Sequence, residues 1–407
     1  MGAAHYGFAH AEGGVTAPAG FLAAGVSAGL KKSGRRDVCV LAAGRPCPAA
    51  AVFTTSATAA PPVLLSRKHI AGGMLRAVVV NAGNANACTG EPGLTAARAM
   101  ADVTASALGC EPSEVAVCST GVIGVPLPVD LVTPGIAEAV ELLDSTRGEE
   151  AAEAIMTTDT FVKQVALSVE ANGRTFTVGG MAKGSGMIKP DMATMLAFIT
   201  TDAPLSTRAC DDVLRSAVAR SFNRITVDSD TSTNDTCILM ASGAEGGPTL
   251  EPGSAAYEAV EAAVLEVATA LAKMVVRDGE GATKFVTITV AGAADEVDAE
   301  RAAFAVADSP LVKTALFGED ANWGRVAMAV GKSGARLDPA RLRIVFAGIL
   351  TCENGMAVAF DEAEAALALA ATDIVVEADL GVGEAEATVW TCDFSYDYVK
   401  INGDYRT

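Results

Sequence analysis

The sequence predicts a mixed α/β (α+β) protein with substantial sheet. Short aliphatic runs alternate with alanine-rich stretches of helical period, and a strong hairpin signal sits mid-chain. No internal repeat or low-complexity linker interrupts that alternation. The first strand candidates are Val38–Ala42, Ala50–Thr55, Ala77–Asn81 and Val115–Cys118, compact runs suited to a buried sheet. Gln164–Val169 and Thr175–Val178 flank Asn172-Gly173, a pair that accepts the positive φ angles of a tight hairpin turn. Met195–Ile199 reads as a buried strand, followed by Phe285–Val290, Leu342–Phe346, Ile374–Ala378 and Ala387–Cys392. Helix candidates are Leu94–Ala107, Ala151–Met156, Cys210–Ser221, Ala255–Val276 and Glu362–Ala371. Periodicity leaves open whether these helices cover two stacked sheets. The turn-rich stretch Gly279–Lys284 follows the longest helix candidate and precedes a new strand, which places a domain boundary near there.

Composition narrows the function. With 407 residues the chain can bury a large core. Its mean hydropathy of +0.34 owes much to alanine, not to a membrane span. The longest uncharged stretch, Pro46–Ser66, carries four prolines and many hydroxyls. The first residues lack the basic start and apolar run of a secretory signal, and Tyr6 argues against myristoylation at Gly2. A cytoplasmic protein without a membrane anchor is expected. A net charge of −19 disfavours nucleic acid and anionic membranes as partners. Nine cysteines without a CxxC pair read as reduced, mostly buried thiols. The three histidines, His5, His10 and His69, are too few and too clustered to favour zinc or a histidine-based triad.

The richest stretch is GGMAKGSGMIKPDMATMLAFITTDA, residues 179–203. A loop loosened by Gly179, Gly180, Gly184 and Gly186 and pinned by Pro190 leads to Thr194, at the mouth of the Met195–Ile199 strand. A hydroxyl there suits a nucleophile. Ser119-Thr120-Gly121 ends a strand candidate and reads either as an oxyanion hole or as an ordinary turn. Met156–Thr160 offers hydroxyls to a substrate carboxylate or simply starts a loop. Arg224–Asp235 either binds a metal through Asp228, Asp230 and Asp235 or forms a hydrogen-bonded structural loop. Arg277–Lys284 is a charged helix end or a site loop, and Trp323 a core or rim aromatic. Gly184-Ser185-Gly186 lacks the third glycine of a dinucleotide fingerprint. Gly331-Lys332-Ser333 fails as a phosphate loop because Val326 stands where the first glycine belongs.

Taken together, AKGSGMIKPDMATMLAFITTDA, CSTGVIG, IMTTDT, RSFNRITVDSDTSTND, RDGEGATKF, SPLVKTALFGEDANWGR and VKINGDYRT closely resemble the glutamate N-acetyltransferase (ornithine acetyltransferase) family of arginine biosynthesis. The likeness is collinear from GGVTAPAGFLAAGVSAGLK to the last residues. It implies an αββα-type sandwich, two central sheets between helix layers, over residues 1–285, and a smaller C-terminal α/β domain over 286–407. It implies self-cleavage between Ala193 and Thr194, giving fragments 1–193 and 194–407 that stay together, as a dimer of cleaved chains (α2β2). The new N-terminal Thr194 would be the nucleophile and carry its own base, an α-amine of pKa about 7.7–8.0.

The implied reaction is ping-pong: Thr194 takes acetyl from N-acetylornithine, ornithine leaves, and glutamate accepts the acetyl group. The resemblance assigns Thr120 and Gly121 to the oxyanion hole, and Thr157, Lys183, Thr194, Glu280, Asn402 and Thr407 to substrate binding. By their chemistry Lys183 suits an α-carboxylate and Glu280 an ammonium group. No metal, nucleotide or flavin is implied. Acetyl-CoA is a co-substrate in some members, and no residue here decides whether it is one in this chain. Lys189 and Asp191 stand where the family commonly has His and Asn, just ahead of the scissile bond, Ser229 where it has Gly, and Ala19 where it often has Lys. The rival readings are an N-terminal-nucleophile aminopeptidase or amidase of similar architecture, and an inactive metabolite-binding protein.

Overall fold

The computed structural model describes residues 6–189 and 195–404. Fifteen strands are named among them. The first nine are β1 (Phe8–His10), β2 (Phe21–Val26), β3 (Val38–Phe53), β4 (Met74–Asn84), β5 (Val115–Val122), β6 (Lys163–Ala171), β7 (Arg174–Lys183), β8 (Leu196–Thr201) and β9 (Thr236–Ala241). The rest are β10 (Phe285–Ala293), β11 (Arg343–Phe346), β12 (Ile349–Glu353), β13 (Met356–Ala357), β14 (Asp373–Asp379) and β15 (Ala385–Cys392). The helices are α1 (Pro61–His69), α2 (Gly90–Leu108), α3 (Val129–Glu141), α4 (Gly148–Ile155), α5 (Thr207–Arg220) and α6 (Ala255–Arg277). They continue as α7 (Glu296–Ala307), α8 (Pro310–Phe317), α9 (Trp323–Gly331), α10 (Glu362–Leu369) and α11 (Tyr396–Asp404).

The first nine strands hydrogen-bond in the order β1-β6-β7-β8-β9-β3-β4-β5, with β2 also on β3. The sixteen-residue β3 serves two half-sheets. Val38–Ala42 pairs with β2 and β4, and Ala49–Phe53 pairs with β9, with a register shift after Ala42. The sequence splits this strand in two because Gly44-Arg45-Pro46 breaks the apolar run just where its partners change.

Alternation along the strands shows that the halves stack. Leu41, Val78, Val80 and Cys118 share one core cluster with Met181, Phe198, Ile238 and Met240. The opposite faces of the same strands turn to helices. Ala197, Ile199, Cys237 and Leu239 pack on α5 and α6, while Val38, Val40, Val79 and Val117 pack on α2 and α3. The layers therefore run helix, sheet, sheet, helix, as the resemblance implies. Strands buried on both faces read as continuous aliphatic runs, and this explains why β4 and β8 show no polar alternation.

Local chemistry sets the ends of these elements. Ser254 caps α6 by accepting from the Tyr257 N–H at 3.3 Å, and Val260, Ala263, Val264, Val267 and Leu271 form its buried stripe. Asn172 and Gly173 both take positive φ (54° and 72°) between β6 and β7, the predicted hairpin turn.

The second sheet has the order β13-β12-β11-β14-β10-β15 and its own core with α7, α9 and α10. It is tied to the first by Thr226, whose N–H donates to Trp390 O at 3.0 Å. Among the described residues, no helix is long and apolar enough to cross a membrane. The sequence candidates omit α1, α3, α7, α8, α9 and α11; in α1 and α3 prolines (Pro61, Pro62 and Pro134) mask the helical period.

Candidate active site

Chain segments from across the sequence converge on one cavity of about 220 Å³ where β5 and β7 end and β8 and β9 begin. Thr120 and Gly121 come from the end of β5, Thr157 from the loop after α4, and Lys183 from the last position of β7. Glu280 follows α6, and Asn402 arrives on α11. Met195, directly after Thr194, also lines the cavity. Every described residue in the predicted set is therefore here. Ala193, Thr194, Asp191 and Thr407 lie outside the described residues.

The β5 end is built by close strand packing. Gly121 has φ +131°, and a Cβ there would sit 2.3 Å from the Gly83 carbonyl carbon, so only glycine fits against β4. Asn234 fixes the same corner by donating through Nδ2 to Ala85 O (2.6 Å) and Ser119 O (2.9 Å). Lys183 Nζ donates to Thr120 Oγ1 at 3.3 Å. Burial pushes the Lys183 ammonium below its ordinary pKa, opposed by the charges of Asp159, Asp235 and Glu280.

Beneath the cavity lies a buried ionic network. Lys163 Nζ, with its side chain fully buried, bonds Asp159 Oδ1 at 2.7 Å and also Asp278. Asp159 accepts in turn from the Gly184 N–H (2.7 Å) and the Thr157 N–H (2.8 Å). One carboxylate thus positions two site segments. Burial would raise the pKa of Asp159, but the charges of Lys183 and Lys163, with these hydrogen bonds, hold it down at about 2. Sequence reasoning missed this group; the only signal is the four-residue spacing of Asp159 and Lys163.

The polar stretch 224–235 serves the loop ahead of the predicted cleavage point. Asp228 accepts from the N–H groups of Met187 (2.7 Å) and Ile188 (2.8 Å), and the Val227 N–H donates to Ile188 O (2.7 Å). Here the hydrogen-bonded loop is what the described geometry displays. Lys189 Nζ bonds Asp308 Oδ2 at 2.6 Å, tying this loop to the second sheet's helices. Glu280 accepts from Asn402 Nδ2 at 2.9 Å, and its carboxylate lies so close to Gly186 that a Cβ there would sit 2.5 Å from Oε2. Neither described histidine lines the cavity, and His69 Nδ1 instead lies 2.8 Å from Val115 O.

Hydroxyls, a lysine and carboxylates gathered around one cavity suit recognition of a small zwitterion and acyl transfer. A family model described as the ArgJ family matches residues 22–407. The "Arginine biosynthesis bifunctional protein ArgJ" of Symbiobacterium thermophilum is 55% identical over 97% of this chain and 99% of the relative. Its counterpart in Geobacter sulfurreducens is 51% identical over 95% and 99%. A crystal structure of the arginine biosynthesis bifunctional protein argJ from Bacillus halodurans matches at 40% identity and TM-score 0.51. It covers 52% of this chain and 100% of that one. By the span of the family model and the identity of these near full-length relatives, the chain belongs to the ArgJ family.

Proposed function

We propose that this chain is an ornithine acetyltransferase (glutamate N-acetyltransferase) of arginine biosynthesis, working through an acetyl ester on Thr194. The observation that carries the reading is the convergence of Thr120, Gly121, Thr157, Lys183, Glu280 and Asn402 on the cavity that Met195 lines. The names of the relatives, arginine biosynthesis bifunctional proteins, support the pathway.

In this reading the chain cuts itself between Ala193 and Thr194. The fold supports lasting association of the fragments, because β7 on one side of the cut pairs with β8 on the other from Val178–Thr201 to Lys183–Leu196. The Bacillus halodurans chain corresponds in full to about half of this one, the length expected of one fragment. The freed α-amine, with a pKa of about 7.7–8.0, takes the hydroxyl proton as Thr194 Oγ attacks the acetyl carbonyl of N-acetylornithine. Thr120 and Gly121 stabilise the oxyanion. The amine returns the proton to the departing ornithine nitrogen. Glutamate then attacks the acetyl ester by the reverse sequence, giving N-acetylglutamate and free Thr194. Lys183 holds the α-carboxylate and Glu280, steadied by Asn402, the ammonium group. Acetyl-CoA enters, if it serves as donor, through the same acetyl-enzyme, with release of CoA thiol in place of ornithine.

The test is incubation of purified enzyme with N-acetylornithine, with and without glutamate. The account expects N-acetylglutamate and ornithine in equal amounts when glutamate is present. Free acetate as the main product in both cases would overturn it in favour of an amidase. Acetyl-CoA with glutamate, scored by thiol release, tests the second donor.

A further inference from the structure

Accepting Thr194 as the self-processing nucleophile leaves one step without a base. In the mature protein the threonine's own amine takes the hydroxyl proton. Before cleavage that nitrogen is an amide and is not basic. Processing therefore needs another group, and neither described histidine lines the cavity.

Among the described residues, the titratable ones lining it are Lys183, Asp228, Asp230, Asp235, Glu280 and Tyr398. Asp228 is committed to the Met187 and Ile188 N–H groups, and Glu280 to Asn402. Lys183 donates to Thr120, Asp230 is exposed to solvent, and burial pushes the Tyr398 phenol up, keeping it protonated. Asp235 differs from all of these. It is only 3% exposed, and among the described residues its Oδ2 accepts no hydrogen bond. A buried acceptor left unpaired is costly, and such a group in a native site calls for a partner that arrives in function.

Strand register says where that acceptor stands. Asp235 directly precedes β9, which runs parallel to β8 with Leu196 opposite Thr236. The Thr236 N–H donates to Met195 O at 2.9 Å. Asp235 is thus held beside Met195, in the cavity that Lys183, Thr120 and Met195 also line. From this placement we infer that Asp235 is the base of self-processing and receives the Thr194 hydroxyl proton.

The step balances. As Thr194 Oγ bonds to the Ala193 carbonyl carbon, its proton passes to the Asp235 carboxylate. When the C–N bond breaks, its electron pair leaves with nitrogen, and the carboxylic acid returns the proton there. The product is an ester with a free amine. Water then splits the ester, restoring the hydroxyl and leaving Ala193 as a carboxylic acid. Burial supports the assignment: it raises the Asp235 pKa well above the usual carboxylate range, against the opposing pull of Ser232 and Lys183. A more basic carboxylate is a better proton acceptor near neutral pH.

The experiment is cell-free synthesis of the full chain, with conversion to fragments followed by denaturing electrophoresis across pH. Wild type is expected to cleave more slowly as pH falls and Asp235 takes up its proton. Asp235→Asn is expected to stay folded by circular dichroism and to cleave about 100-fold slower or worse, the lower bound for losing a general base. Asp235→Glu is expected to retain slow cleavage with the same loss at low pH. If Asp235→Asn does not fold, Asp235→Ala with added formate decides: cleavage that rises with formate supports the base, and indifference to formate overturns it. Cleavage of folded Asp235→Asn at the wild-type rate also overturns it. A wild-type chain that stays whole at 41.2 kDa would instead refute the Thr194 reading on which the inference rests.

Discussion

Replacing Asp159 with alanine tests how the site is held together. Asp159 accepts three hydrogen bonds, from Lys163 Nζ, the Gly184 N–H and the Thr157 N–H. Its loss leaves Lys163 paired with Asp278 alone and two backbone donors without acceptors. Breaking a buried ion pair from one side costs about 3–5 kcal/mol, and each orphaned buried donor about 1–3 kcal/mol. These costs overlap, so the expected loss is about 3–5 kcal/mol, a large share of the roughly 5–15 kcal/mol that holds a domain folded. Urea unfolding at neutral pH measures it directly.

A second readout comes from pH. Folding lowers the Asp159 pKa from its ordinary 3.8 to about 2. The stabilisation is therefore full above the unfolded carboxylate's range and is lost as pH falls from about 4 towards 2, amounting to about 2–3 kcal/mol by linkage. The gap between wild type and Asp159→Ala should narrow over that window. Thr157 and Lys183 would shift with the lost anchor, and misplacement of that kind lowers kcat/KM by about 100-fold. A stability loss under about 1 kcal/mol, or a gap unchanged through the acid window, would refute the view of Asp159 as the anchor of two site segments.

If Thr120 is an oxyanion donor as proposed, Thr120→Val should lower kcat by about 10²–10³ with little change in KM, read from steady-state rates. Gly186→Ala forces a Cβ to within 2.5 Å of the Glu280 carboxylate. It should raise KM for N-acetylornithine more than it lowers kcat. Lys189→Met severs the 2.6 Å bond to Asp308. Because that lysine is partly exposed, thermal stability should change by less than about 1 kcal/mol, while time-resolved electrophoresis should show slower processing.

Much of the fold was legible because its strands are buried on both faces and stand out as aliphatic runs between turn residues. The Asn172-Gly173 hairpin and the length of α6 followed from local rules alone. The split reading of β3 failed because sequence does not reveal that one strand can change partners midway. The site was legible only through the motif resemblance, since Thr120, Lys183 and Asn402 lie far apart in sequence and tertiary structure brings them together. Asp159, Lys163 and Asp278 escaped notice because charged residues normally read as surface, and only burial exposes their part. Asp228 drew attention as a candidate metal ligand, yet the sequence alone offered no means to tell a ligand from a backbone-bonding carboxylate.

The central claim is a covalent acetyl-enzyme on a threonine that the protein itself makes N-terminal. Intact mass spectrometry of the purified enzyme, before and after N-acetylornithine in the absence of glutamate, tests it most directly. The account predicts two fragments split between Ala193 and Thr194, with one acetyl group gained by the fragment that begins at Thr194 and lost when glutamate is added. A single uncut chain, or cut fragments that gain no acetyl group while transfer proceeds, would contradict it.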